Sequence, residues 1–297
     1  MAVITISSQL AHGHVGNSAA VFALQANGVE VAAVPTVLLS NHPRHASCRG
    51  RPLGAGLVRE LLAGIEERGV IEKCKILMTG YLGTPGIAAV VMNFVRRAKE
   101  KNPSLLYLCD PVMGDGGRLY VREELAAIFR EKLMPLANIV TPNVFELEQL
   151  SRRRLDTIDV ILEASRALGP RLVTVTGIRN PCPGTVMTAA IERHSAWAAS
   201  TPELARSAFG TGDLFAALFA ARLIDGLPAS TALASAVSSL YAVLEVTAPD
   251  AADIALITAA ERMLRPPRRF EASALQHQKP SLTTDRDMDR QAFRIQE

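Results

Sequence analysis

The chain has 297 residues, 48% of them apolar, enough for one large α/β core or for two small domains. Its 32 basic and 29 acidic side chains leave a formal charge of +3, and no basic stripe is interleaved with aromatics, which argues against a nucleic-acid partner. Cys48, Cys74, Cys109 and Cys182 stand far apart, with neither a CxxC pair nor zinc spacing, a pattern of reduced, partly buried thiols.

The opening "MAVITISSQL" lacks a basic n-region and a long apolar h-region, so no signal peptide is expected. No charge-free apolar run reads as long enough for the roughly 18 residues of a membrane span. A soluble, cytoplasmic protein without a membrane partner is the expectation.

Strand and helix patterns alternate. Residues 2–7, "AVITIS", read as a short buried strand. Residues 16–28 read as a helix that Asn17 or Ser18 can cap and Gly28 stops. Residues 29–40 are β-rich, and the polar, breaker-rich stretch 41–54 reads as a mobile loop. Helical periodicity marks 56–69 and 86–102, with the strand "KILMTG" (75–80) between them. "LLYLCDPVMGDGG" (105–117) is a strand that runs into an acidic, glycine-rich loop. Residues 137–150 read as strand, proline-punctuated turn and helix, and 171–177 as another strand. From Gly210 to about Leu264 the pattern is helical, broken at "GLP" (226–228). The tail 276–297 is polar and patternless and reads as disordered. Such alternation implies a mostly parallel sheet covered on both faces. Ligands in these folds collect beyond the C-terminal ends of the strands. Ser8, Ser40–His42, Gly80–Tyr81, Asp110, Thr141–Asn143 and Thr176 all fall at that predicted edge.

Several chemistries are absent. There is no G-x-x-x-x-G-K-[ST], no G-x-S-x-G and no H-E-x-x-H. "GHVG" (13–16) has the wrong spacing for a dinucleotide fingerprint. What remains is "GTGD" (210–213). Gly210 and Gly212 let successive N–H groups turn into one concavity at a helix N-terminus, a nest for phosphate. Asp213 in that nest suits a base that takes a proton from an attacking hydroxyl; it equally suits a helix cap. In "DPVMGD", Asp110 and Asp115 can bind Mg²⁺ through water or cap a Pro/Gly turn. Glu146, three residues after Asn143, can orient a metal water or simply complement a helix dipole. Tyr81 can stack on a flat ring or pack in the core.

Taken together, "GHVGNSAAVFALQANGVEV", "LLSNH", "GYLG", "CDPVMGD", "TPNVFELE" and "GTGD" occur in an order that resembles the pyridoxal kinase family of the ribokinase-like superfamily. The resemblance covers 2 to about 275 and leaves 276–297 outside, so 1–275 is read as one ribokinase-like domain. It implies a three-layer αβα sandwich, a homodimer, and transfer of the ATP γ-phosphoryl group to the 5′-hydroxymethyl of pyridoxal. By that resemblance Asp213 is the base and Gly210, Thr211 and Gly212 are the anion hole. Asp110, Asp115 and Glu146 fall where Mg²⁺ and the phosphates bind, with K⁺ as a monovalent partner. Asp110, Thr141, Asn143, Glu146, Thr176, Gly210 and Gly212 are the ATP set. Ser8, Val15, His42, Pro43, Tyr81 and Asp213 surround the pyridine ring. Three departures stand out: Pro43 where the family has a threonine that contacts substrate, His45 where it has an aromatic, and a short stretch 177–209 where it places nucleotide-covering strands. The first keeps open a kinase for another B6 vitamer or for hydroxymethylpyrimidine. A non-catalytic binder of pyridoxal or its phosphate is the reading from another class.

Overall fold

The computed structural model describes residues 2–180, 182–204 and 208–275. The first half of the chain gives β1 (Ala2–Leu10), α1 (Asn17–Ala26), β2 (Glu30–Leu39), β3 (Gly50–Pro52), α2 (Ala55–Glu67), α3 (Val70–Lys73), β4 (Cys74–Thr79), α4 (Pro85–Lys101) and β5 (Leu106–Cys109). A small hairpin of β6 (Gly114–Asp115) and β7 (Arg118–Leu119) precedes α5 (Glu123–Ile128), β8 (Ile139–Val140), α6 (Val144–Ser151) and α7 (Ile158–Ala167). Then come β9 (Leu172–Arg179), β10 (Thr185–Glu192), β11 (Ala196–Pro202), α8 (Thr211–Ile224), α9 (Ala229–Val246), α10 (Ala260–Leu264) and β12 (Ala272–Ala274).

Among the described residues the main sheet has ten strands in the order β12-β11-β10-β9-β8-β5-β4-β1-β2-β3. The run from β9 to β2 is parallel throughout; β10, β11, β12 and β3 are added antiparallel at its two ends. From β1 the chain goes to β2 on one side and then crosses to β4 on the other. The strand order therefore reverses at β1/β4, and a crevice opens at their C-terminal ends.

Both faces of the sheet are covered. On one, Ala19, Ala23 and Leu24 of α1 pack with Leu214, Phe215, Leu218 and Phe219 of α8 and Leu233 of α9. On the other, Val58, Leu62, Val91 and Phe94 of α2 and α4 pack with Phe129. Leu147, Ile161 and Leu162 of α6 and α7 cover the β9–β11 end. This is the expected three-layer α/β sandwich. The apolar residues on every side of α8 follow from its place in the middle of one layer, with alanines where neighbours come close.

Four sequence expectations change. The N-cap of α1 is Gly16 with no side-chain cap bond, because Asn17 is fully buried and does other work. Its Nδ2 donates to the carbonyls of Ser7 and Val34, and its Oδ1 accepts from Thr5 Oγ1, tying β1 to β2. Residues 50–52 of the predicted loop form β3. Residues 247–259 are turns, not helix, and begin at a stretch with Pro249. The stretch 177–209 is long enough for β10, which runs back along β9, and for β11, which runs back along β10. Helix α9 has 18 residues of mean hydropathy 1.4, long and apolar enough by composition to cross a membrane, but Glu245 lies in it, so the expectation of no charge-free run of that length stands; 56% of that span is buried inside the protein, as befits a core helix. The tail 276–297 lies outside the described residues. Cys74 and Cys109 are buried, Cys48 is half-buried and Cys182 exposed, all as free thiols.

Candidate active site

The crevice at β1/β4 is built by close approach of backbone. Gly80 follows β4, and a Cβ there would come within 2.6 Å of Ser7 Oγ and 3.8 Å of Asp213 Oδ1. The Tyr81 N–H donates to Ser7 Oγ at 3.1 Å, and Thr36 Oγ1 donates to the Tyr81 carbonyl at 2.6 Å. Tyr81 is thus pinned by its backbone beside Ser7, and burial raises its phenol. Ser8, on β1, is buried against Gly16.

Gly210 is the N-cap of α8, with φ 90 and no side-chain cap. Any Cβ at Gly210 would run into the His14 carbonyl, and any at Gly16, with φ +57, into the Ser8 carbonyl. So "GHVG" and "GTGD" lie against each other, two glycine-led helix starts at one end of the sheet. The Asp213 carboxyl faces the backbone N–H groups of Gly16 and of Asp213 itself. Burial raises its carboxyl above the usual range, and those two N–H groups offset part of the rise. Gly210 offers α8 no side-chain cap, so the N–H groups that open the helix suit an anion. Val15 is buried next to this contact.

A second group forms at the ends of β5, β8 and β9. Thr141 Oγ1 donates to Asp110 Oδ1 at 2.8 Å. Asn143 caps α6: its Oδ1 accepts from the Glu146 N–H at 2.8 Å while Glu146 Oε2 accepts from the Asn143 N–H at 3.0 Å. That is a capping box, the local reason this sequence starts a helix here. Glu146 Oε1 accepts from the Met113 N–H at 3.0 Å, and Asn143 Nδ2 donates to the Gly114 carbonyl at 2.8 Å, so the acidic loop is tied to α6. Thr176 is joined to the same turn through its N–H, which donates to the Pro142 carbonyl at 3.0 Å.

Asp110 is 6% exposed and Glu146 5%, and neither has a cationic side chain paired with it among the described residues. Burial, then the charges of Glu146 and Asp213, push Asp110 well above the usual carboxylate range. Burial likewise pushes Glu146 up to about 8, against three backbone N–H groups that lower it. Two buried carboxylates that repel each other are a place for a cation to enter. Asp115 is different. It is exposed on the hairpin, and its Oδ1 accepts from the Gly116 N–H at 2.7 Å. No cluster of three or more acidic, His or Cys side chains among the described residues is arranged to hold a metal by itself. That suits Mg²⁺, which keeps waters and leans on phosphate oxygens.

His42 and Pro43 lie on loop 41–49. The His42 ring stacks on Phe209, with centroids 3.8 Å apart, and burial and then Arg44 lower its pKa. Pro43 is exposed on the turn next to it.

Sequence reasoning missed Ser7, Gly16 and Phe209. A signal existed for Gly16: a glycine directly before a helix start, as at Gly210. Ser7 and Phe209 gave none, because their roles come from contacts across 74 residues in one case and across loops in the other.

A family model described as phosphomethylpyrimidine kinase matches residues 12–255. The chain is 43% identical over 276 residues to pyridoxal kinase PdxY of Rubrobacter xylanophilus, covering 90% of this chain and 95% of that one. It is 39% identical over 280 residues to pyridoxal kinase PdxY of Leifsonia xyli subsp. xyli, covering 92% and 99%. Among solved structures, pyridoxal kinase from Leishmania donovani in complex with ADP and pyridoxine superposes with a TM-score of 0.86 at 27% identity, covering 93% of this chain and 99% of that one. A putative phosphomethylpyrimidine kinase from Bacteroides thetaiotaomicron gives 0.84 at 25% identity, covering 92% and 97%.

Proposed function

The chain belongs to the pyridoxal kinase family, and on that premise we propose that it transfers the γ-phosphoryl group of ATP to the 5′-hydroxymethyl oxygen of pyridoxal. Asp213 removes the hydroxyl proton as the O–P bond forms and the bond to the ADP oxygen breaks. The N–H groups of Gly210, Thr211 and Gly212 hold the charge that develops on the phosphoryl oxygens. The observation that carries this reading is the placement of Asp213. Its carboxylate stands at the N-terminus of α8, facing the Gly16 N–H and Gly80 at the strand-order reversal.

Asp110 and Glu146, with Asp115 at the rim, are the residues we assign to Mg²⁺. These residues would hold the ion together with ATP, and it would supply neutralisation of phosphate charge. Asp110, Thr141, Asn143, Glu146 and Thr176 line the nucleotide side, and Ser8, Val15, His42, Pro43 and Tyr81 the pyridoxal side. Phosphoryl transfer asks for position and charge more than for covalent help, and this arrangement supplies both. K⁺, a homodimer and a cytoplasmic location go with this reading on resemblance alone; sedimentation equilibrium tests the dimer.

A second substrate is favoured by two observations: Pro43 has no hydroxyl to offer, and the matching family model is that of a pyrimidine kinase. A coupled ADP-release assay with Mg-ATP and K⁺ on pyridoxal, pyridoxine, pyridoxamine and hydroxymethylpyrimidine separates the readings. Turnover strongest on pyridoxal is expected. Turnover strongest on the pyrimidine moves the activity within the superfamily. Binding of pyridoxal without ADP release from any of the four overturns the kinase reading in favour of a binding protein.

A further inference from the structure

Three contacts tie loop 41–49 to the residue just ahead of the glycine turn. His42 stacks on Phe209, their planes 18° from parallel. The Arg44 guanidinium lies 5.4 Å from the centre of the same ring. His45 meets that ring edge-on at 6.3 Å and sets its Nε2 3.3 Å from Asp253 Oδ2.

Asp253 is fixed to Phe209 in turn. The two form an isolated parallel bridge, and the Phe209 N–H donates to the Ala252 carbonyl at 2.7 Å. The acid that holds the histidine and the ring that carries the stack are therefore one unit. The loop is also braced within itself. Asn41 Nδ2 donates to the Ser47 carbonyl at 2.7 Å, and Cys48 Sγ to the Asn41 carbonyl at 3.1 Å.

Asp253 is an unusual place to find a carboxylate. Its Oδ1 is buried and lacks a hydrogen-bond partner, and it lies 2.9 Å from where a Cβ on Gly13 would stand. A buried oxygen left unpaired is costly, so a residue kept there has another use. The charged neighbours are Arg44 and His42 on the loop, with His12 and His14 lining the same cavity of about 750 Å³ as Asp253.

We propose that the His45–Asp253 pair is a positioning latch: it docks loop 41–49 onto Phe209 and so couples the substrate loop to the glycine turn that holds the phosphoryl group. The two residues touch no reacting atom. Their effect passes through His42 on one side and through Phe209 and Gly210 on the other. The catalytic consequence rests on the kinase reading above; the docking itself does not.

The test uses the full chain with His45→Ala, Asp253→Ala, Asp253→Asn and the double alanine variant. One readout needs no activity: the rate of tryptic cleavage after Arg49, a bond that none of the substitutions adjoins. The other is the split between KM for pyridoxal, KM for ATP and kcat. Loss of the latch should speed cleavage and raise KM for pyridoxal about fivefold each, the factor for a half-exposed ion pair, with KM for ATP within about twofold. The double variant should match the singles, since they break one interaction. Asp253→Asn keeps an acceptor for His45 and should fall between. His45 is half-exposed on a loop, so its variant remains informative should Asp253→Ala fold poorly. Cleavage at the wild-type rate in both single variants, or additive effects in the double, overturns the latch. Faster cleavage in a chain that turns over none of the four substrates keeps the latch and removes the kinase reading. Normal turnover with unmoved cleavage does the reverse.

Discussion

Removing one of the two buried carboxylates should stabilise the protein while disabling it. Glu146 stands at about 8 instead of 4.5. At about 1.4 kcal/mol per pH unit, its full ionisation in the folded chain costs on the order of 4–5 kcal/mol. Burial is the larger part and survives a neighbour's substitution; the repulsion between the two carboxyls shows on Asp110, whose first like charge is Glu146, and is worth about 1–2 kcal/mol. Asp110→Asn removes that part and keeps an oxygen to accept from Thr141 Oγ1. The direction with pH follows from both carboxyls being raised. Below their unfolded positions, near pH 4, both are protonated whether the chain is folded or not, and the two proteins should melt alike. As pH rises, the unfolded wild type ionises freely and the folded one resists, so the wild type loses stability on the way to the folded positions and the variant loses less. By pH 8 the variant should melt about 2–8 °C higher, at about 2–4 °C per kcal/mol. Mg-ATP should reverse the order, because the wild type gains more from the bound cation, and kcat should fall about 10²-fold or more. Scanning calorimetry from pH 4 to pH 8, with and without Mg-ATP, reads all of this. A gap that is absent at pH 8, or that narrows as pH rises, would refute the like-charge argument.

Three further outcomes are expected. Asp213→Asn should keep ATP affinity and lower kcat about 10²-fold or more, as loss of a general base does; near-full activity would remove Asp213 from that role. Since burial raises the Asp213 carboxyl, the wild-type rate should climb with pH through a limb above the ordinary aspartate range; an acid limb at the ordinary position in the kcat/KM profile contradicts this. Gly210→Ala should cost more than 2 kcal/mol of stability and most of the activity, because φ 90 and the His14 carbonyl leave no room for a methyl group; thermal melts check the first and ADP release the second. Pro43→Thr, at an exposed position beside His42, should tighten pyridoxal by about 1 kcal/mol if its hydroxyl reaches the ring, read by titration calorimetry.

The parallel core was legible because its physics is one-dimensional. Strands buried on both faces read as apolar runs, and the polar residue that ends each run marks the crevice edge. Ser8, Tyr81, Asp110, Thr141 and Thr176 follow that rule, lying at or near the ends of β1, β4, β5, β8 and β9. The pieces that escaped, β3, β10, β11 and β12, draw their order from a neighbour instead. "TVMTAAIE" and "AWAASTP" carry small residues and no strong alternation; they become strands because β9 offers an edge to β10 and β10 offers one to β11.

At the site, residue type misled where backbone decided. Asn17 has the right side chain for an N-cap, but the strand carbonyls of Ser7 and Val34 claim its amide, and the cap falls to Gly16, which can adopt φ +57. "GHVG" fails as a dinucleotide fingerprint, yet the N–H of its last glycine faces Asp213 and lowers its carboxyl. Asp213 itself was ambiguous from sequence, since a cap and a base look alike in four letters. The fold breaks the tie: α8 is capped by Gly210, Asp213 is the third residue inside it, and the N–H outside α8 that its carboxyl faces comes from the start of α1. A carboxylate facing the start of a second helix, at the point where the sheet reverses order, is placed for a substrate, and that placement could only come from the sheet topology.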